Sequence, residues 1–249
     1  MRFRLIEHGL VDSTSERAFA ALAAGRAEHG DVHVARGQSA GRGRLGRRWE
    51  SPAGEGLYMS VVLLPAPPPF AAPALTMAAV LAAKAGLEHV GLAPERLRVK
   101  WPNDIEVAGA KICGSLIESR GLERERPHYV LGLGLNVRQR AFPTELLAER
   151  AATSLALEGV ACEPRTVARA VLAELPVRLE QARGDHATLA RDFLQACGLG
   201  DRTVRIEARG ASRRGTLLGL SIAEGIELEL ETGERELLPL ESVSAVGIE

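Results

Sequence analysis

Residues 70–86, FAAPALTMAAVLAAKAG, place apolar side chains around almost the whole circumference of any helix they form. A helix with no polar face has to be enclosed by other elements. It is no bilayer span: Pro73 and Lys84 interrupt the run, which falls short of the ~20 apolar residues that crossing requires. We therefore expect a buried, Ala-rich helix over about 74–86 and no membrane association. With 249 residues, the chain can bury such a helix in one large domain and still form a small second one. Its charged and apolar fractions, 25% and 46%, are those of ordinary globular proteins.

Around this helix the pattern alternates between strands and helices. RFRLIE near the start reads as a short edge strand. Ser13 and Glu16 have capping-box spacing, predicting a helix from about 16 to 28. DVHVARGQ (31–38) and GLYMSVVLLP (56–65) read as strands, the second closed by the PAPPP break. The strand RLRVKW must stay extended to Trp101, because a residue before proline avoids the helical region. Alternation puts Arg98 and Lys100 on one face of it, with Leu97, Val99 and Trp101 on the other. Residues 105–119 predict a hairpin turning near Ala108-Gly109, and HYVLGLGLNV (128–137) a central strand. A long loop is expected from 138 to about 163. A helix then starts with Pro164 in its first turn, and Pro176 should kink or end it. Another helix covers 186–197. Beyond Gly198, short alternating strands with glycine turns predict a small β-barrel docked on the main domain. The fold class is α+β, with domains at 1–198 and 199–249.

The net charge is −1, which argues against a general polyanion binder. Charge is nevertheless concentrated: five arginines and no acid lie between Arg36 and Arg48, in a segment with glycines at 41, 43 and 46. Arg42 and Arg44, two apart, can project on one side of an extended segment and grip phosphates through paired hydrogen bonds. The glycines allow such a loop to fold over a ligand and reopen. Neither the Walker pattern nor GxGxxG occurs. Trp49 alone interrupts the basic run and aromatics are 4% of the chain, too few for stacking of single-stranded nucleic acid.

Only three of 31 basic residues are lysines, and two of these, Lys100 and Lys111, flank Asn103 and Asp104 in one hairpin-like unit. An ammonium is a compact point charge on a slender stem, whereas a guanidinium is a broad fork. A solvated basic loop and an ordinary turn are the bland alternatives for the two segments. Cys113, Cys162 and Cys197 match neither a disulfide framework nor a zinc site and fit a reducing cytosol. No signal-peptide pattern opens the chain.

Together these segments resemble the biotin-protein ligase family. GRGRLGRRW (41–49) resembles its GRGRxGRxW signature, KWPND (100–104) followed by KICGSLIE its KWPND…KxxGIL segment, and GLGLNV (132–137) its third signature. DST (12–14) and ATSL (152–155) fall where that family has them. The resemblance implies a mixed sheet flanked by helices, like that of class II aminoacyl-tRNA synthetases, and an SH3-like C-terminal barrel. It also implies two steps: biotin and MgATP give biotinyl-5′-adenylate, then the biotinyl group passes to one lysine of the biotin carboxyl carrier domain of acetyl-CoA carboxylase or another biotin-dependent carboxylase. A homodimer through the sheet and a cytoplasmic location belong to the same expectation. Some family members carry an N-terminal DNA-binding domain; here the catalytic motifs begin close to Met1, so no operator binding is expected.

By motif position, the resemblance implies that Ser13, Thr14, Ser15 and Gln38 bind biotin's ureido end. Arg42, Gly43, Arg44 and Trp49 close over its carboxylate. Lys111 stands between that carboxylate and the α-phosphate. Arg42, Arg44, Arg47, Lys100, Asn103, Asp104 and Asn136 line the ATP side, and no protein metal ligand is implied beyond magnesium carried by ATP. Lys111, Arg44 and Asp104 are the residues expected to carry the chemistry. Physically, a carboxylate must meet a phosphate, so cations have to quench the repulsion. In the second step the attacking amine must lose its proton, and Asp104 is the candidate base. Ser15 and Ser115 depart from the Asn and Ile common in the family. A lipoate-protein ligase is the nearest rival, although it usually reads RRxSGGG; a catalytically silent binding module is the rival from another class.

Overall fold

The computed structural model describes residues 1–65, 69–120 and 127–248. The strands of its first sheet are β1 (Arg4–Val11), β2 (Asp31–Gln38), β3 (Gly56–Leu63), β4 (Leu97–Lys100), β5 (Asp104–Val107), β6 (Ala110–Ser119) and β7 (Tyr129–Asn136). They are ordered β1-β2-β3-β7-β6-β5-β4, so β7 is central and β1 is an edge, as alternation predicts. Only β1 and β2 run parallel; the other pairs are antiparallel, making the sheet mixed. Residues 108 and 109 do form the hairpin turn between β5 and β6, with φ of 49° at Ala108 and 85° at Gly109. Two consecutive positive φ values match the right-handed twist of the strands they join.

Helices cover both faces. The Ala-rich segment is α2 (Ala72–His89), buried between the sheet and α4 (Pro164–Gly184), with α5 (His186–Cys197) alongside. The opposite face is covered by α1 (Thr14–Ala23), whose Ala18 and Phe19 form a small separate core with Val62 and Val130.

Four expectations need correction. The first helix stops at Ala23, five residues early, because the N–H groups of Gly25 and Arg26 turn back to the carbonyls of Leu22 and Ala21. Ser13 does cap it, accepting from the Ser15 N–H, but the Glu16 carboxylate is bound by Arg42 and Arg120 instead of completing a capping box. Pro176 lies inside α4, which continues eight residues to Gly184. The apolar stripe Val167, Val171, Leu175, Leu179 and Ala182 runs through the proline, and its burial outweighs one lost backbone hydrogen bond. The long loop after 138 contains a short helix, α3 (Thr144–Glu149). The PAPPP break lies partly outside the described residues.

From residue 203 the chain forms β8 (Thr203–Ala208), β9 (Ala211–Ser221), β10 (Gly225–Leu230), β11 (Arg235–Leu238) and β12 (Val243–Ile248). These make a five-stranded antiparallel sheet ordered β11-β10-β9-β8-β12. Its inner residues Val204, Ile206, Leu217, Ile226 and Leu228 join the main core rather than forming their own. Among the described residues, no helix is long and apolar enough to cross a membrane.

Candidate active site

Strand register builds a floor. Across β3, β7 and β6, Ser60, Gly132 and Leu116 lie in one row; Tyr58, Gly134, Gly114 and Asp104 lie in the next, extended by β5. The alternation of GLGLNV therefore sends Leu133 and Leu135 to the core and Gly132 and Gly134 to the opposite face. The missing side chains leave a cavity of about 710 Å³, within the usual ~300–1,000 Å³ of ligand pockets. At Gly134 the space is taken by the Trp49 indole, which a Cβ there would overlap.

At one end of the floor the start of α1 delivers three buried hydroxyl residues, Ser13, Thr14 and Ser15. Thr14 Oγ1 lies 2.8 Å and Ser15 Oγ 3.1 Å from Ser60 Oγ, which is fully buried. The Thr14 N–H donates to Gln38 Oε1 (2.8 Å), and Gln38 Nε2 donates to Ser51 Oγ (2.9 Å). Ser51 in turn donates to the Trp49 carbonyl (3.1 Å). One hydrogen-bonded chain thus links the start of α1 to the end of the glycine-arginine segment. Ser60 joins the Thr14 and Ser15 hydroxyls at its inner end, and sequence reading missed it: a serine in an apolar strand carries no signal of its own.

At the other end, Lys111 Nζ stands 2.5 Å from Asp104 Oδ2 and 5.2 Å from the centre of the Trp49 ring. Lys111 is buried, and burial pulls its ammonium below the ordinary lysine range; Asp104 pushes the opposite way. Asp104 Oδ1 is buried, has no hydrogen-bond partner among the described residues and faces Gly114. The fully buried Cys113 thiol next along the strand is pushed up to about 12 by desolvation and is inert. Asn103 is fixed by donating to the Ser115 carbonyl (2.6 Å) and accepts from Arg44 Nη1 (3.2 Å).

Arg42 and Arg44 both line the cavity, as expected, but they are held differently. Arg44 reaches Asn103, whereas Arg42 is bound by Glu16 and by Glu118 (2.8 Å). Two carboxylates from different elements share the Arg42 charge. Lys100 lines the cavity from the exposed side of β4 and pairs with Glu106 (2.7 Å). Gly43, Arg47 and Trp49 line the cavity.

Asn136 holds the framework together. Its Nδ2 donates to the Thr153 carbonyl (2.9 Å) and, at 3.5 Å, to that of Lys111, while Oδ1 accepts from Gln139. The backbone of Lys111 itself bridges Ala151 and Thr153. The ATSL segment thereby docks beside Lys111. A second cavity of about 370 Å³ opens beyond Trp49, lined by Asn136, Gln139, Phe142 and Arg150 among others. Arg150 borders both cavities and acts electrostatically on Lys111, a cation outside every motif that sequence reading had singled out. Among the described residues, no group of three or more His, Cys, Asp or Glu is placed to hold a metal ion.

A mixed sheet with a glycine floor, a hydroxyl cluster and a lysine under a basic flap defines a class of proteins. Residues 9–136 match the model of the Biotin/lipoate A/B protein ligase family, and the chain belongs to that family. Its relatives include the bifunctional ligase/repressor BirA of Bacillus subtilis, 40% identical over 144 residues that are 57% of this chain and 43% of that protein. The aligned part thus spans less than half of that relative. The biotin–[acetyl-CoA-carboxylase] ligase of Mycobacterium tuberculosis is 36% identical over 202 residues, 80% of this chain and 72% of that one. The biotin protein ligase of Aquifex aeolicus, solved in complex with biotin and ATP, has the same fold: TM-score 0.76 and 27% identity over 98% of this chain and 99% of that one.

Proposed function

We propose that this protein is a biotin-protein ligase that activates biotin with ATP and passes it to a lysine of a biotin carboxyl carrier domain, such as that of acetyl-CoA carboxylase. The observation that carries the proposal is one cavity joining a buried hydroxyl cluster at one end to a buried, carboxylate-paired lysine at the other. Biotin has matching ends. Its ureido ring both donates and accepts hydrogen bonds, which suits Ser13, Thr14, Ser15, Ser60 and Gln38. Lipoate's dithiolane has no donor and only weakly accepting sulfurs, so it would leave unused the hydrogen-bonding capacity that these groups do not spend on one another. The hydroxyl cluster therefore favours biotin over the lipoate side of the family.

In the first step a carboxylate oxygen of biotin attacks the α-phosphorus of ATP and pyrophosphate leaves. Lys111 lies where both anions converge, and its desolvation makes its charge more effective than it is in water. Arg44, Arg47 and Arg150 add positive charge around the phosphates, whose magnesium arrives with them. The cavity beyond Trp49, apolar at Phe142 and polar at Asn136 and Gln139, receives the nucleotide base. In the second step the carrier amine attacks the acyl carbon, AMP leaves with the bonding electrons, and Asp104 accepts the amine's proton. The unpartnered Oδ1 is the oxygen available for that transfer.

The division at 198/199, the synthetase-like and SH3-like descriptions of the two parts, and pairing of two copies through the β1 edge belong to the same reading. The break falls where α5 ends and the second sheet begins. Three free cysteines fit a cytoplasmic location. ATP–pyrophosphate exchange with each acid tests the activity. Exchange is expected with biotin, with biotinyl-5′-AMP identified by mass; exchange supported only by lipoate would refute it.

A further inference from the structure

Arg42 Nη1 is bound by Glu16 in the first turn of α1, and Nη2 donates to Glu118 on β6 at 2.8 Å. Arg120 closes the group, donating to both Glu16 carboxylate oxygens (2.9 and 2.5 Å) while its guanidinium lies 4.2 Å from the centre of the Phe19 ring. Two arginines and two glutamates cancel in charge. The Arg42, Glu16 and Glu118 side chains are each at most 30% exposed. Glu16 also lies where the partial positive charge of a helix start stabilises a carboxylate.

Backbone bonds continue the anchoring on both sides of Arg42. The Trp49 N–H donates to the Gly41 carbonyl (3.0 Å), and the Gly43 N–H to that of Arg47 (2.7 Å). Between these ties stands a tip with Leu45 at φ 57° and Gly46 at φ 74°, where Leu45 is 85% exposed. A cation already shared by two carboxylates has little charge to offer a phosphate, whereas the partner of Arg44 among the described residues is an uncharged amide.

We propose that Glu16 and Glu118 are positioning residues for the adenylation step: they hold Arg42 as the fixed root of the flap, from which the tip carrying Arg44 closes over the reacting anions. The inference rests on the ligase reading and reassigns Arg42 from ligand to anchor. Loosening the root disorders the tip before substrate arrives, which weakens capture of biotin and ATP and admits water to the mixed anhydride. It leaves the groups that touch the reacting atoms in place.

Glu16→Gln, Glu118→Gln and the double variant keep side-chain shape and remove the carboxylate charge. In the full-length protein, the double variant is expected to raise KM for biotin and MgATP in pyrophosphate exchange by roughly tenfold while kcat stays within about twofold. It should also increase biotin-dependent AMP release without a carrier, and leave Arg44 and Arg47 open to trypsin when biotin and MgATP are bound. Arg42→Gln added to the double variant should cost little more, since anchor and carboxylates form one interacting set. Unchanged KM, AMP release and tryptic pattern would overturn the anchor. So would a further loss of roughly 100-fold in kcat on adding Arg42→Gln, which would place Arg42 on the phosphates. Absence of biotin-dependent exchange in the unsubstituted protein would instead refute the ligase reading, and the tryptic pattern with biotin alone would still report on the anchor.

Discussion

Ser60 and Arg44 face the same cavity, yet they are held in opposite ways. Ser60 lies fully buried in a central strand, bonded to two hydroxyls at the start of α1. Arg44 stands on a segment whose next four residues are exposed, and its side chain makes one amide contact. The difference follows from the chemistry at each end. Recognising an uncharged ring depends on hydrogen bonds whose geometry fails within a few tenths of an ångström, so the donors must be rigid. Neutralising an anion depends on Coulomb attraction, which falls off slowly and tolerates motion. On the proposed reading this segment admits two substrates and releases products, which calls for a segment that can open, and charge is what such a segment can deliver.

Lys111 belongs to the rigid half, and the proposed reading gives it the electrostatic work, so Lys111→Ala is the largest test of the contrast. Adenylate synthesis is expected to fall by roughly 10³-fold, with the fold intact by circular dichroism. Lys111→Arg should not restore it, because a fork does not fit between Asp104 and the Trp49 ring. An unchanged rate would remove the lysine from the chemistry. Next comes Arg44→Ala, expected to lower kcat for exchange by about 100-fold while calorimetric biotin affinity changes little. A loss confined to affinity would mean that the flap recognises rather than reacts.

Ser60→Ala is the reciprocal test. It leaves the Thr14 and Ser15 hydroxyls short of a partner, so biotin binding should weaken by about tenfold while kcat at saturating biotin is kept. If kcat fell instead, the two halves would not be separable. The smallest effect is in pH dependence. Lys111 acts as the charged form, and burial lowers its pKa from 10.5, so kcat/KM for exchange should fall with rising pH through a value below 10.5. Asp104 holds that pKa up, and Asp104→Asn should move the alkaline limb to lower pH still. A limb that stays put would mean another group governs it.

The rigid half was the more legible in one respect and the less in another. Alternation located every strand of the first sheet, and GLGLNV proved to be the glycine floor, yet neither Ser60 nor the purpose of the two glycines follows from their immediate neighbours. The arginine segment was legible as a site because its charge density is unusual, but the division of labour within it was not. Arg42 meets Glu16 and Glu118, 26 and 76 residues away, and nothing local to the segment signals either. Asn136 is expected to face the nucleotide, and it also ties the Thr153 and Lys111 carbonyls together, a second role that its motif does not signal.

What the sequence alone determined is the order of the main strands and helices, the buried Ala-rich helix, the concentration of arginine in a glycine segment and the gathering of two of the three lysines around Asp104. Periodicity and composition act over short range, and those features are short-range. The tertiary structure decided which serine completes the hydroxyl cluster, which arginine meets an amide and which meets two carboxylates, and where Arg150 stands. Those depend on register between strands and on partners far apart in the chain, and such pairings exist only once the sheet has closed around its core.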